Sequence, residues 1–85
     1  MSKVRMYSKK VCPFCVRAKN LLNRKGVEIE EIMMDGKFDE LAELVAKTGM
    51  RTVPQIFIGD HFVGGYQELA ELEQKGELDP LLGLS

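Results

Sequence analysis

The chain has 85 residues, which fits one domain spanning residues 1–85, near the lower size limit for a self-sufficient core. Its 45% hydrophobic and 29% charged residues exclude a disordered chain, and a formal net charge of -1 gives no basic field for nucleic acid. No apolar run approaches the ~20 residues of a membrane span, and the opening "MSKVRMYS" lacks the apolar stretch of a secretory signal. A cytoplasmic location is therefore expected.

Residues 3–8 alternate, with Val4 and Met6 on one face, and read as a strand. The segment "PFCVRAKNLLNRKG" reads as a helix. Pro13 suits its first turn and Arg24 and Lys25 its last, with Gly26 just beyond. Phe14, Ala18, Leu21 and Leu22 supply its apolar side. Residues 27–34 form a second strand with Val27, Ile29 and Ile32 inward. In "FDELAELVAKTG", Phe38, Leu41, Ala42 and Val45 follow a helical period that Gly49 closes. "PQIFIG" is a short apolar strand, and Gly59-Asp60 turns it into "HFVGG". "QELAELEQKG" is a third helix, and "ELDPLLGLS" is a tail with room for one more helical turn. A strand–helix–strand start implies parallel pairing, and the later hairpin adds two antiparallel strands. The expected class is α/β, a four-stranded mixed sheet flanked by helices.

Both cysteines lie in "KKVCPFCVRAK", three residues apart. In a reducing compartment such a pair is more often catalytic or metal-binding than a permanent staple. Cys12 follows a strand and opens a helix, where unpaired N–H groups and the macrodipole favour thiolate over thiol. Lys9, Lys10, Arg17 and Lys19 add charge of the same sign. Cys15 sits one turn further on, in line with Ala18 and Leu22, within disulfide reach and more sheltered. That asymmetry makes Cys12 the attacking thiol and Cys15 the resolving one. A structural zinc needs four ligands, and the chain offers two cysteines and His61 at the hairpin. A zinc site shared between two chains stays open.

"CPFC" after the first strand, "TVPQIFI" at residues 52–58 and Gly64-Gly65 before the last long helix resemble, in this order, the dithiol glutaredoxins of the short bacterial type. The resemblance covers nearly the whole chain. It implies a thioredoxin fold and glutathione-dependent reduction of protein disulfides and protein–glutathione mixed disulfides. It also implies a cis Pro54 that turns the Val53 backbone, next to Thr52, toward an extended glutathione peptide. Lys9 matches a family lysine near the glycyl carboxylate of glutathione, and Arg51 stands ready to join it. Gly65 suits a close backbone approach.

Two positions depart from the family pattern. Gln67 and Glu68 occupy the place of a usual aspartate pair that holds the γ-glutamyl group. Phe14 replaces a common tyrosine and keeps its apolar platform. Glutathione is then the co-substrate, with no metal. Disulfide-bearing or glutathionylated proteins are the partners, ribonucleotide reductase among the family's possibilities, and the chain is a monomer with no nucleic-acid or membrane partner. Three rival readings remain: a [2Fe–2S]-bridged dimer, which Pro13 disfavours; a redoxin reduced by thioredoxin reductase; and a docking domain with inert thiols. Alkylation of reduced protein separates the last: Cys12 should react at neutral pH faster than a free thiol, and an ordinary rate would mark an inert pair.

Overall fold

In the computed structural model, which describes residues 3–84, β1 (Val4–Ser8) is the organising strand. It pairs in parallel with β2 (Ile29–Met33), from Val4 opposite Ile29 to Ser8 opposite Met33. On its other side it pairs antiparallel with β3 (Gln55–Ile58), Val4 opposite Ile58 and Tyr7 opposite Gln55. β4 (His61–Gly64) completes the sheet through the hairpin, giving the order β2-β1-β3-β4. The mixed sheet expected from the element order is present. Helices α1 (Pro13–Arg24), α2 (Phe38–Thr48), α3 (Tyr66–Gln74) and α4 (Leu78–Leu82) follow in the chain order expected, the tail supplying α4.

The core forms where α1, α3 and α4 meet one face of the sheet. Val4, Met6, Ile56 and Ile58 from the strands meet Ala18, Leu21 and Leu22 from α1 and Leu69, Leu78 and Leu82 from the last two helices. Each fully buried leucine is worth roughly 1.5–3 kcal/mol relative to exposure. The short α4 thus earns its place by closing the core with two leucines that the sequence left in a tail. Tyr7 lies on the other side of β1 and meets Phe57 edge-on at 6.0 Å between ring centroids.

Two expected apolar faces need correction. Phe14 is 52% exposed and does not join the core side of α1. It sits in the first turn and packs against Tyr66 instead, ring centroids 6.0 Å apart. On α2, Phe38 is 80% exposed and Ala42 is exposed, while Leu44 is buried. The helical period holds, but its phase differs from the expected one. The covered stripe runs through Leu41, Leu44, Val45 and Thr48, three residues later than expected. Thr48 fixes that phase, because its hydroxyl lies 2.9 Å from the side-chain carbonyl of buried Gln55.

One ion cluster ties three helices together. Lys25, at the end of α1, places Nζ 2.8 Å from Glu73 of α3 and 2.9 Å from Asp79 of α4. Glu73 first, then Asp79, raises the Lys25 pKa above its ordinary 10.5. A raised cation pKa stabilises the fold below the ordinary value, and that stability is lost as pH climbs through the raised one. Lys25→Met should therefore melt at a lower temperature than wild type at neutral pH. The gap should close above the ordinary lysine range, and a gap unchanged at high pH would assign it to packing.

Candidate active site

Cys12 is the N-cap residue of α1, with extended backbone at φ -153° and ψ 94°. Its Sγ accepts the Cys15 N–H at 3.2 Å, so sulfur takes the place that an Asp or Ser oxygen usually fills at a helix start. Pro13 follows at the first helical position, where the missing N–H costs nothing. A negative sulfur here meets an aimed N–H and the positive end of the helix, the two conditions that favour thiolate.

Cys15 lies one turn on, with its Cα 5.2 Å from that of Cys12, and the two sulfurs are joined as a disulfide. Cys15 is 3% exposed, whereas Cys12 is only partly covered. The loop before Cys12 is held from β2's side: the Lys10 N–H donates to the Asp35 carboxylate at 3.2 Å.

Facing Cys12 is the turn that leads into β3. The Val53–Pro54 peptide is cis, and the Val53 carbonyl oxygen stands 3.8 Å from Cys12 Sγ. With no proton on a disulfide sulfur, this is a contact between atoms rather than a hydrogen bond. Behind the turn sits Gln55, fully buried. Its Nε2 donates to the carbonyls of Met50 at 2.8 Å and Thr52 at 3.1 Å. The Thr48 hydroxyl faces its Oε1 and accepts the Met50 N–H at 3.2 Å. Residues 48–52 are thus bound to the first residue of β3.

Gly64 and Gly65 form the third side. Gly64 has φ +114°, and a Cβ there would lie 2.8 Å from Glu68 Oε1. A Cβ on Gly65 would come within 3.4 Å of the Pro54 carbonyl, an ordinary contact distance, so the backbone requires glycine at Gly64 and merely leaves Gly65 closely packed. Glu68 folds back over its own helix start, and the Gly65 N–H donates to its Oε1 at 2.7 Å. This is half of a capping box.

These pieces enclose an open cleft of about 330 Å3 beside Cys12. Of the residues expected there, Phe14, Thr52, Val53, Pro54, Gly65, Gln67 and Glu68 line it. Lys9 does not; it lies on a neighbouring cavity on the Cys15 side. Arg51 is exposed and outside the cleft wall. Met50 and Tyr66 line the cleft without having been singled out as ligand contacts. Tyr66 stacks on Phe14, and Arg17 lies 5.4 Å above the Phe14 ring centroid. Gln55 was also missed as a site-building residue, and its signal was a polar amide within an otherwise apolar strand.

A glutaredoxin family model matches residues 4–63. The chain belongs to the glutaredoxin family. A glutaredoxin of Pseudomonas aeruginosa is 52% identical over 82 residues, covering 96% of this chain and 98% of that protein. The solution structure of glutaredoxin from Brucella melitensis superposes with a TM-score of 0.87 at 45% identity, over 99% of this chain and 91% of that one. A crystal structure of a buckwheat glutaredoxin–glutathione complex gives a TM-score of 0.90 at 34% identity, over 96% of this chain and 77% of that one. The fold is accordingly the thioredoxin fold of glutaredoxins, and the protein is a thiol–disulfide oxidoreductase with a redox-active Cys12–Cys15 pair.

Gln55→Leu keeps the volume and removes three polar partners from the turn facing Cys12. Leaving two carbonyls without their donor should cost on the order of 1–3 kcal/mol in urea unfolding. Disulfide reductase activity should fall along with it. A variant of wild-type stability and activity would show that the Gln55 bonds do not hold the turn.

Proposed function

We propose that this protein uses glutathione to reduce protein disulfides and protein–glutathione mixed disulfides. The observation that carries this reading is the cleft that runs from the Val53–Pro54 turn, whose Val53 carbonyl contacts Cys12 Sγ, to the start of α3. The buckwheat relative, described as a complex with glutathione, supports it by analogy.

Glutathione lies in the cleft as an extended peptide. The Val53 backbone pairs with its cysteinyl unit like a short added strand, with Thr52 beside it. Phe14 and Pro54 form the apolar floor, and Gly65 lets the peptide come close. The free N–H groups at the α3 start, around Gln67, take the γ-glutamyl carboxylate. Glu68 Oε1 is committed to the Gly65 N–H, so Oε2 meets the γ-glutamyl ammonium. Lys9 and Arg51 are long, exposed cations that reach the glycyl carboxylate from outside the cleft wall.

In deglutathionylation, the Cys12 thiolate attacks the glutathione sulfur of the mixed disulfide. The target thiolate leaves, and Cys12 carries glutathione. A second glutathione thiolate attacks that glutathione sulfur, forming glutathione disulfide and releasing Cys12 thiolate. With a protein disulfide, Cys12 forms the mixed disulfide and Cys15 thiolate attacks Cys12, expelling the reduced target and closing the Cys12–Cys15 bond. Two glutathione molecules reopen it. The targets are cytoplasmic disulfide-bearing or glutathionylated proteins, and the acting unit is the single-domain monomer.

Turnover of a small glutathione mixed disulfide with glutathione as sole reductant tests the reading. Efficient turnover supports it; none, alongside good turnover from thioredoxin reductase, would replace it with a thioredoxin-like function. Cys12→Ser should reduce both reactions to less than about one-thousandth of wild type. Cys15→Ser should keep most deglutathionylation and lose reduction of protein disulfides. Equal losses in the two variants would contradict the division of roles.

A further inference from the structure

The β1 face that supplies Val4 and Met6 to the core ends in a hydroxyl. Ser8 is 1% exposed, and among the described residues its Oγ has no hydrogen-bond partner. Its backbone is satisfied, since the Ser8 carbonyl accepts the Met34 N–H at 2.8 Å. The unpaired hydroxyl is therefore a feature of the side chain alone. Leaving such a group unpaired and dry costs roughly 1–3 kcal/mol.

The hydroxyl's neighbour follows from the packing of α1 on β1. Val4, Met6 and Ser8 share one face of the strand. Cys15, Ala18 and Leu22 form one buried stripe of the helix. Val4 and Met6 meet Ala18 and Leu22 in the core. The end of each series is left over, and Ser8 and Cys15 together wall a cavity of about 250 Å3. The charged groups around it are Lys9, Lys10, Lys19 and Glu31, with Lys19 Nζ paired to Glu31 Oε1 at 2.9 Å.

We propose that Ser8 is a positioning residue for Cys15: its hydroxyl hydrogen-bonds the Cys15 sulfur once the disulfide opens, and so favours the reduced form. In the disulfide, Cys15 sulfur is a poor acceptor and Ser8 stays unpaired. On reduction, an incoming thiolate attacks Cys12 Sγ. A new disulfide forms between them, the Cys12–Cys15 bond breaks, and its electron pair leaves on Cys15 Sγ. Ser8 O–H donates to that thiolate until solvent supplies a proton. A second thiolate attacks the first reductant's sulfur and frees Cys12. Two thiols are oxidised to one disulfide, and the protein gains the two electrons. Stabilising the reduced form makes a dithiol pair more oxidising. The inference rests on thiol–disulfide exchange and holds whichever thiol is the physiological reductant.

Ser8→Ala should shift the exchange equilibrium against a glutathione redox buffer about tenfold toward the disulfide, about 30 mV more reducing. Urea unfolding of both redox forms separates this from a merely structural role. The disulfide form of Ser8→Ala should be as stable as wild type or more so, while its reduced form should be less stable. Ser8→Thr and Ser8→Val form a second, shape-matched pair: threonine should keep the wild-type equilibrium and valine should shift it as alanine does. An unchanged equilibrium, equal stability changes in both redox forms, or matching behaviour of threonine and valine would overturn the proposal.

Discussion

The single bond on which the site depends is the one from the Cys15 N–H to Cys12 Sγ. It is at once a helix cap and an electrostatic device. A helix must satisfy its first N–H groups, and here the reactive atom does so itself. The helix therefore cannot begin in its proper place without aiming a donor at the sulfur. Starting the helix and aiming a donor at the Cys12 sulfur become one requirement.

That arrangement places everything else. Because Cys12 ends the connection from the inner strand β1, its sulfur lies beyond the C-terminal end of that strand. The neighbouring strand β3 is entered through the Val53–Pro54 turn, which puts a main-chain carbonyl within contact of the sulfur. The Gly64–Gly65 step then lets α3 start close by. Three main-chain segments converge there, and Phe14, Met50 and Tyr66 line the cleft between them. The cations Lys9 and Arg51 lie outside the cleft wall, whereas Glu68 lines it.

Much of this was legible in the sequence. Element order gave the sheet, because strand–helix–strand and hairpin connections admit few pairings. The placement of the cysteines was legible too, Cys12 opening a helix and Cys15 lying a turn deeper and buried. The cleft followed from resemblance in "TVPQIFI" and "GG". The misreadings share one cause. Phe14 and Phe38 both stand in first helical turns, where a large apolar side chain fits the helical period yet has no sheet beneath it. Periodicity gives the angle around a helix but not what lies opposite. For the same reason the phase of α2 was out of reach, since a hydrogen bond between Thr48 and Gln55 sets it. Glu68's turn back onto Gly65 N–H was equally hidden, being a choice between solvent and a neighbouring cap.

The Gln55 clamp has a consequence for how such a protein diversifies. Its two donated bonds end on main-chain carbonyls of residues 50 and 52, which every amino acid possesses. The clamp is therefore indifferent to which side chains those positions carry. Side-chain substitutions at Met50, Arg51 and Thr52 leave both acceptors of the Gln55 amide in place. The clamp thus fixes the main-chain path opposite Cys12 and leaves the side chains of residues 50–52 to be chosen for other contacts.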